Sequence, residues 1–171
     1  MARRRTFYVP VMIAAAVAVA CAVALLAISQ KAEAAFPGKN GRIAYQGSDH
    51  VIYTIDPDGR GKTEVTEGSD PSFSADVKKI AYVHYDGNDS EIYTIKATGG
   101  RPFQVTDNAK DDSDPSWSPD GKRIAYTHYS DSDLPNEAAA IYKIAADGGS
   151  EVLVTDNNGT GALFPSWGRR P

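Results

Sequence analysis

The sequence predicts an all-β fold of four-stranded units, and three observations carry that prediction. A block of sequence recurs: "DPSFSADVKKIAYVHY" at 70–85, "DPSWSPDGKRIAYTHY" at 114–129, and a restart, "FPSW", at 164–167. The recurring pieces are short, β-branched or aromatic, and bounded by Gly, Pro, Asp or Ser, which marks strands rather than helices. The period is 40 residues from Tyr53 to Tyr93 and 49 from Tyr93 to Tyr142. Four short strands per unit of that length make the blade of a β-propeller.

The first element stands outside the fold. "MARRR" is a basic start, and no charge follows from Thr6 to Gln30. Ala32-Glu33-Ala34 fits the small-x-small pattern of a signal-peptide cleavage site, so residues 1–34 read as a leader and the exported chain as beginning at Ala35. An uncleaved anchor is the alternative, because about 22 apolar residues also span a bilayer. "RRTFY" (4–8) resembles a twin-arginine signal, but an ordinary basic start explains it as well. Cys21, the one cysteine, reads as a small apolar residue of the leader. The exported domain, periplasmic or extracellular, therefore has neither disulfide nor thiol chemistry and must be held by packing alone.

Within 35–171 each unit has four elements in the order A, B, C, D. Strand A is "PSF" (71–73) or "PSW" (115–117 and 165–167). Strand B is "GRIAY" (41–45), "KKIAY" (78–82) and "KRIAY" (122–126). Strand C is "VIYTI" (51–55), "EIYTI" (91–95) and "AIYKI" (140–144), each followed by a glycine turn; strand D is "EVT" (64–66), "QVT" (104–106) and "LVT" (153–155). The blades then run approximately 36–69, 70–113 and 114–161, with a partial one at 162–171. "SPDGK" (118–122) suits a tight A–B turn, Pro fixing φ early and Gly relieving it late. Strand B carries Ile80, Tyr82 and His84 on one face and Ala81, Val83 and Tyr85 on the other. Apolar residues on both faces suit a sheet sandwiched between neighbours.

"DPSWSPDGKRIAYTHY", with "IYKIAADGG" and "VLVT" after it, resembles the repeat of TolB-like, WD-repeat-like β-propellers of exported bacterial proteins. The likeness covers nearly all of 36–171. It departs in the first unit, where "FPGKNGRIAY" lacks PSW, and in the second, where "SADVKK" replaces the Pro and Gly of the turn. The resemblance implies a non-enzymatic exported scaffold that binds a protein or peptide.

Propellers usually have four to eight blades, and this chain writes three and a fraction. The strand A of one copy could complete the first blade of another, two copies giving six blades; a truncated propeller without independent function and an open arc are the alternatives.

Candidate functional residues follow from comparing repeat with repeat. Positions shared by all units are structural, and those peculiar to one are functional candidates. The A–B and C–D turns are uniform, whereas the B–C and D–A loops vary and hold 14 of the 21 carboxylates of residues 35–171. The acidic face expected there comprises Asp86, Asp89, Glu91, Asp107, Asp111, Asp112, Asp131, Asp133 and Glu137. A one-signed face draws in cations or a basic partner. With 14 Lys and Arg against those 21 acids, nucleic acid is excluded as a partner, and a membrane is reached only through an uncleaved leader.

Asp86, Asn88 and Ser90 have the alternate spacing of calcium ligands, but the glycine and bidentate Glu of an EF-hand loop are missing. No cofactor is expected otherwise, calcium being the one ion with a donor pattern. A calcium- or small-ligand-binding envelope sensor or enzyme subunit is thus the alternative function. His84 and His128 occupy equivalent positions and read as packed rings; Asp70 and Asp114 read as caps of their own turns. No G-x-S-x-G nucleophile elbow exists, so no catalytic residue is assigned.

Overall fold

A computed structural model describes residues 41–130, 139–155 and 161–168 of the chain; the leader lies outside them. The described residues form three antiparallel sheets that stack as an open, incomplete propeller. Strands β1 (Ile43–Gln46), β2 (Val51–Ile55) and β3 (Thr63–Glu67) make the first blade. The second consists of β4 (Ser69–Phe73), β5 (Lys79–Tyr85), β6 (Ser90–Lys96) and β7 (Phe103–Gln104). The third is β8 (Asp112–Trp117), β9 (Arg123–Tyr129), β10 (Ala139–Ala145) and β11 (Val152–Leu153). Each sheet is an up-and-down meander in sequence order, so the A, B, C, D reading holds for these eleven strands, whereas the strand A expected at 165–167 is not formed.

The stack is held by two apolar layers. Ile52, Ile80, Tyr82 and Ile95 fill the first, between blades one and two. Ala81, Val83, Ile92, Val105, Trp117, Ile124, Tyr126 and Ile144 fill the second, between blades two and three. Strand β5 thus serves both layers, Ile80 and Tyr82 in one and Ala81 and Val83 in the other, as its two-faced pattern predicts. Strand A of each later blade lies against the blade before it: β4 against β1 and β2, β8 against β4, β5 and β6.

The tyrosines mark the repeat in three dimensions. Tyr45 faces Tyr53, Tyr82 faces Tyr93 and Tyr126 faces Tyr142 across the B–C pairs, with ring centroids 5.7, 6.0 and 6.2 Å apart. Cross-strand aromatic pairs stabilise a sheet, so these rings are used up inside the blades.

Two local features differ from expectation. Asp70 and Asp114 do not cap turns. They sit in strand A at φ 51° and 53°, within a bulge where two residues of A oppose one of B. Their carboxylates accept from the hydroxyls of Ser69 and Ser113. The second feature is the A–B turn of blade two. It has the same bonds as "SPDG": Ser74 N to Lys79 O and Val77 N to Ser74 O, matching Ser118 N to Arg123 O and Gly121 N to Ser118 O. Val77 takes φ 60° where Gly121 takes 66°. Packing and hydrogen bonding impose the turn although its glycine is missing.

Candidate functional site

The B–C and D–A loops lie at one end of the blades because successive strands alternate in direction. Direct bonds join them. Asp111 in the loop after β7 accepts through Oδ1 from the Ser90 amide, 2.8 Å away, at the end of the β5–β6 loop. Its carbonyl accepts from Tyr129 N at 2.9 Å, tying the same loop to blade three.

Four of the expected acids, Asp86, Asp89, Asp107 and Asp111, gather on this end. Asp86, Asp107 and Asp111 are exposed and Asp89 is half-buried. Loss of hydration pushes the Asp89 carboxyl above the usual range, and the charges of Asp86, Asp111, Asp112 and Asp107 push it further. Cations at the opposite end already face acids: Arg42 with Asp56 at 3.3 Å and Lys78 with Asp76 at 3.8 Å. Asp131, Asp133 and Glu137 lie outside the described residues.

Glu91 and Asp112 require a correction. Both are fully buried, with 0% exposure, and neither presents a carboxylate to a partner. Glu91 accepts from Thr106 Oγ1 and, at 2.6 Å, from Asn108 N. Asp112 Oδ1 lies 2.7 Å from His128 Nδ1, and its Oδ2 accepts from Asn108 Nδ2 at 3.0 Å. Asn108 Nδ2 also donates to Glu151 at 3.2 Å. The three carboxylates, one histidine and two hydrogen-bonding side chains form a polar clasp between blades two and three. Burial raises the Glu91 carboxyl to about 7. The hydrogen bond to Asp112 raises His128 above its ordinary value, against desolvation.

The repeat contains the signal that would have found both buried acids. Glu91 stands where the other strands C carry Val51 and Ala140, and Asp112 stands where the other strands A carry Gly68 and Ala162. A charged residue at a position otherwise apolar or small is a buried one. The histidine reading holds: His128 and His84 lie against Tyr142 and Tyr93, centroids 4.8 and 5.3 Å apart, and the His128 ring nitrogen is satisfied.

Asp86 closes the β5–β6 loop on itself. Its Oδ1 accepts from Asn88 N at 2.9 Å, and its amide donates to Asp89 O, so the carboxylate closes its own turn. Ser90 is committed through its amide to Asp111. Among the described residues, no group of three or more His, Cys, Asp or Glu side chains is placed to hold a metal.

Beside this surface, between blades one and two, lies a cleft of about 460 Å³ lined by Asp49, His50, Glu67, His84, Tyr85 and Ser90 among others. Asp49 is fixed there by the Tyr53 hydroxyl at 2.8 Å. This bond holds the Asp49 carboxyl below its ordinary value and pushes Tyr53 up to about 12.

This arrangement, repeated three- and four-stranded sheets stacked face to face with variable loops at one end, defines a β-propeller repeat protein. Solved structures sharpen the class. A protein described as TolB from Agrobacterium tumefaciens superposes with a TM-score of 0.59 and 22% identity, over 74% of this chain and 49% of its own. TolB from Acinetobacter baumannii gives 0.57 and 26%, over 70% of this chain and 32% of its own. The described blades are TolB-like. The chain matches from a third to a half of the length of those two proteins. The sequence matches no family model and no curated protein.

Proposed function

We propose that this chain is an exported, non-enzymatic scaffold that binds a protein or peptide with a basic surface through its acidic loop end. The observation that carries the reading is the convergence of Asp86, Asp89, Asp107 and Asp111 on one loop end, where Asp111 ties the β5–β6 loop to the loop before blade three. The TolB likeness supports a protein-binding propeller in general, and the leader-like 1–34 supports export. In the envelope or outside the cell, such a face would attract a cationic segment and fix its orientation, with affinity supplied by the neighbouring cleft.

The test is titration of a lysine- and arginine-rich peptide, followed by fluorescence anisotropy, at low salt and at about 0.3 M, where screening falls to several Å. Binding should weaken with salt. It should also weaken in an Asp86→Asn, Asp89→Asn, Asp107→Asn triple variant, in which Asn keeps the turn-closing acceptor at residue 86. No binding, or binding indifferent to both changes, overturns the proposal.

A further inference from the structure

The two blade junctions place repeat-equivalent residues at their loop ends and use them differently. His84 and His128 share a position on strand B; counted back from strand A, so do Glu67 and Asp111. Between blades two and three both are committed. His128 Nδ1 lies 2.7 Å from Asp112 Oδ1, and Asp111 Oδ1 accepts from the Ser90 amide at 2.8 Å. Between blades one and two, Gly68 stands where Asp112 would. The half-buried His84 has the edge of the Tyr93 ring beside it, and among the described residues no hydrogen bond or ion pair engages its ring nitrogens or the Glu67 carboxylate. The cleft of about 460 Å³ opens at this point, with His84 and Glu67 both on its wall.

That wall is rich in acceptors. Asp49 and Glu67, when ionised, only accept. The hydroxyls of Ser69 and Tyr85 are already spent as donors, one to Asp70 and the other to the Gly87 carbonyl, each at 3.0 Å. Asp49 is fixed in place, its Oδ2 accepting from the Tyr53 hydroxyl at 2.8 Å and its Oδ1 from the Val51 amide at 3.3 Å. Tyr85 also lines the cleft and is 62% exposed, and the face of such a ring attracts a cation. Blade one already contains this pairing: the Lys62 ammonium stands 3.8 Å from the centroid of Tyr53, the tyrosine bonded to Asp49.

We propose that this cleft holds the guanidinium of an arginine side chain of the partner. The inference rests on the reading of a basic partner given above and names the group of that partner that is gripped. A guanidinium has no acceptor, carries five N–H donors in one plane and stacks on aromatic rings. It is the complement of a wall with two carboxylates, a histidine lacking a partner of its own and an exposed tyrosine ring. Glu67 takes it through charge-assisted hydrogen bonds, His84 accepts through a ring nitrogen, and Asp49 adds a second negative charge. A lysine ammonium is a compact point charge and meets fewer of these acceptors at once. The exposed Asp86, Asp107 and Asp111 then attract the rest of the basic segment, and the cleft sets its register.

The experiment uses the full chain, expressed in an exporting host and purified as that host processes it. The probes are a labelled oligolysine peptide with one central arginine, and the same peptide with citrulline or lysine at that place; citrulline keeps the shape of arginine without its charge. In fluorescence anisotropy, citrulline should weaken binding about tenfold, the loss of one charge-assisted contact in a partly open site, and lysine should weaken it by a smaller factor. Glu67→Gln should weaken the arginine peptide by a similar factor and leave it level with the citrulline peptide. Glu67 is exposed, so the variant should fold, as circular dichroism checks. N-acetylargininamide alone, at tens of millimolar, should shift the side-chain resonances of His84 and Tyr85. Arginine and citrulline peptides that bind alike, an arginine preference that survives Glu67→Gln, or a His84 resonance that does not move overturns the cleft site, and a lysine peptide as tight as the arginine one overturns the choice of guanidinium. If binding still weakens in the Asp86, Asp89 and Asp107 triple variant in those cases, the acidic-end reading stands without the cleft. If no peptide binds but N-acetylargininamide moves His84, the cleft site stands and the acidic-end reading falls.

Discussion

The clasp between blades two and three makes the protein's stability depend on pH in a definite direction. Glu91 is fully buried, and its carboxyl is raised to about 7, against about 4.3 in an unfolded chain. Between those values the folded protein binds a proton that the unfolded chain has lost. Stability therefore falls as pH rises through this window, and the cost is absent below the unfolded value. His128 acts in the same sense. Its pKa is raised by Asp112, so the stability it adds is full below about 6.5 and is lost as pH climbs through the higher folded value. One proton sets a limiting slope of about 1.4 kcal/mol per pH unit. At roughly 4 °C per kcal/mol for a domain of this size, the melting temperature should fall by several degrees from pH 5 to pH 7.5. Glu91→Gln keeps an acceptor for Asn108 N and removes the titration, so it should flatten the lower part of that profile and leave the His128 part. Thermal melts followed by circular dichroism across the range provide the assay. A melting temperature that rises from pH 5 to 7.5, or a Glu91→Gln profile that keeps the full slope, would refute the reasoning.

Three further predictions rest on single contacts. Val77→Gly restores the residue that blade three uses at φ 66°. Relief of a left-handed β-branched residue should outweigh the entropy glycine adds to the unfolded chain, raising stability by about 0.5–1 kcal/mol in a urea titration; a loss would show that the side chain is needed. Gly68→Ala should destabilise by about 2 kcal/mol or more, because a Cβ there meets Tyr82 Cδ2 and the Val83 carbonyl at 2.6 Å and φ is +145°; an unchanged denaturation midpoint would contradict that crowding. Trp117→Ala should cost about 3–5 kcal/mol, since the ring is buried in the second apolar layer, and a loss under 1 kcal/mol would place that layer elsewhere.

The blades were legible in the sequence because a propeller repeats its constraints. Each strand B must supply both layers, and Ile80, Tyr82, Ala81 and Val83 do so in alternation. The turn of blade two was less legible. Ala75 and Val77 replace the Pro and Gly that announce it, and the turn persists because Ser74 and Asp76 keep the bonds that Ser118 and Asp120 make. The Ser hydroxyl donates to the Asp carboxylate and the following lysine amide donates to the same oxygen. Local propensity was a weaker guide there than the side chains that close the turn.

Carboxylates were the hard case. Asp86 and Glu91 belong to one acidic stretch, yet one is exposed and the other lies sealed under Thr106 and Asn108. Charge alone cannot separate them, since an acid is ordinarily a surface residue. Register can. Glu91 belongs to β6 and pairs with His84, inside the sheet, whereas Asp86 closes a turn beyond its end. The same criterion explains why only one junction carries a clasp. At the junction of blades one and two, Gly68 and Val51 occupy the positions of Asp112 and Glu91. Without those two acids the geometry is met by close backbone packing, and Gly68 fits against Tyr82 and Val83 with no room for a side chain. One junction is thus packed on backbone, and its neighbour is joined through a buried ionisable network. The two share a fold, but among the described residues only the second carries fully buried acids, Glu91 and Asp112.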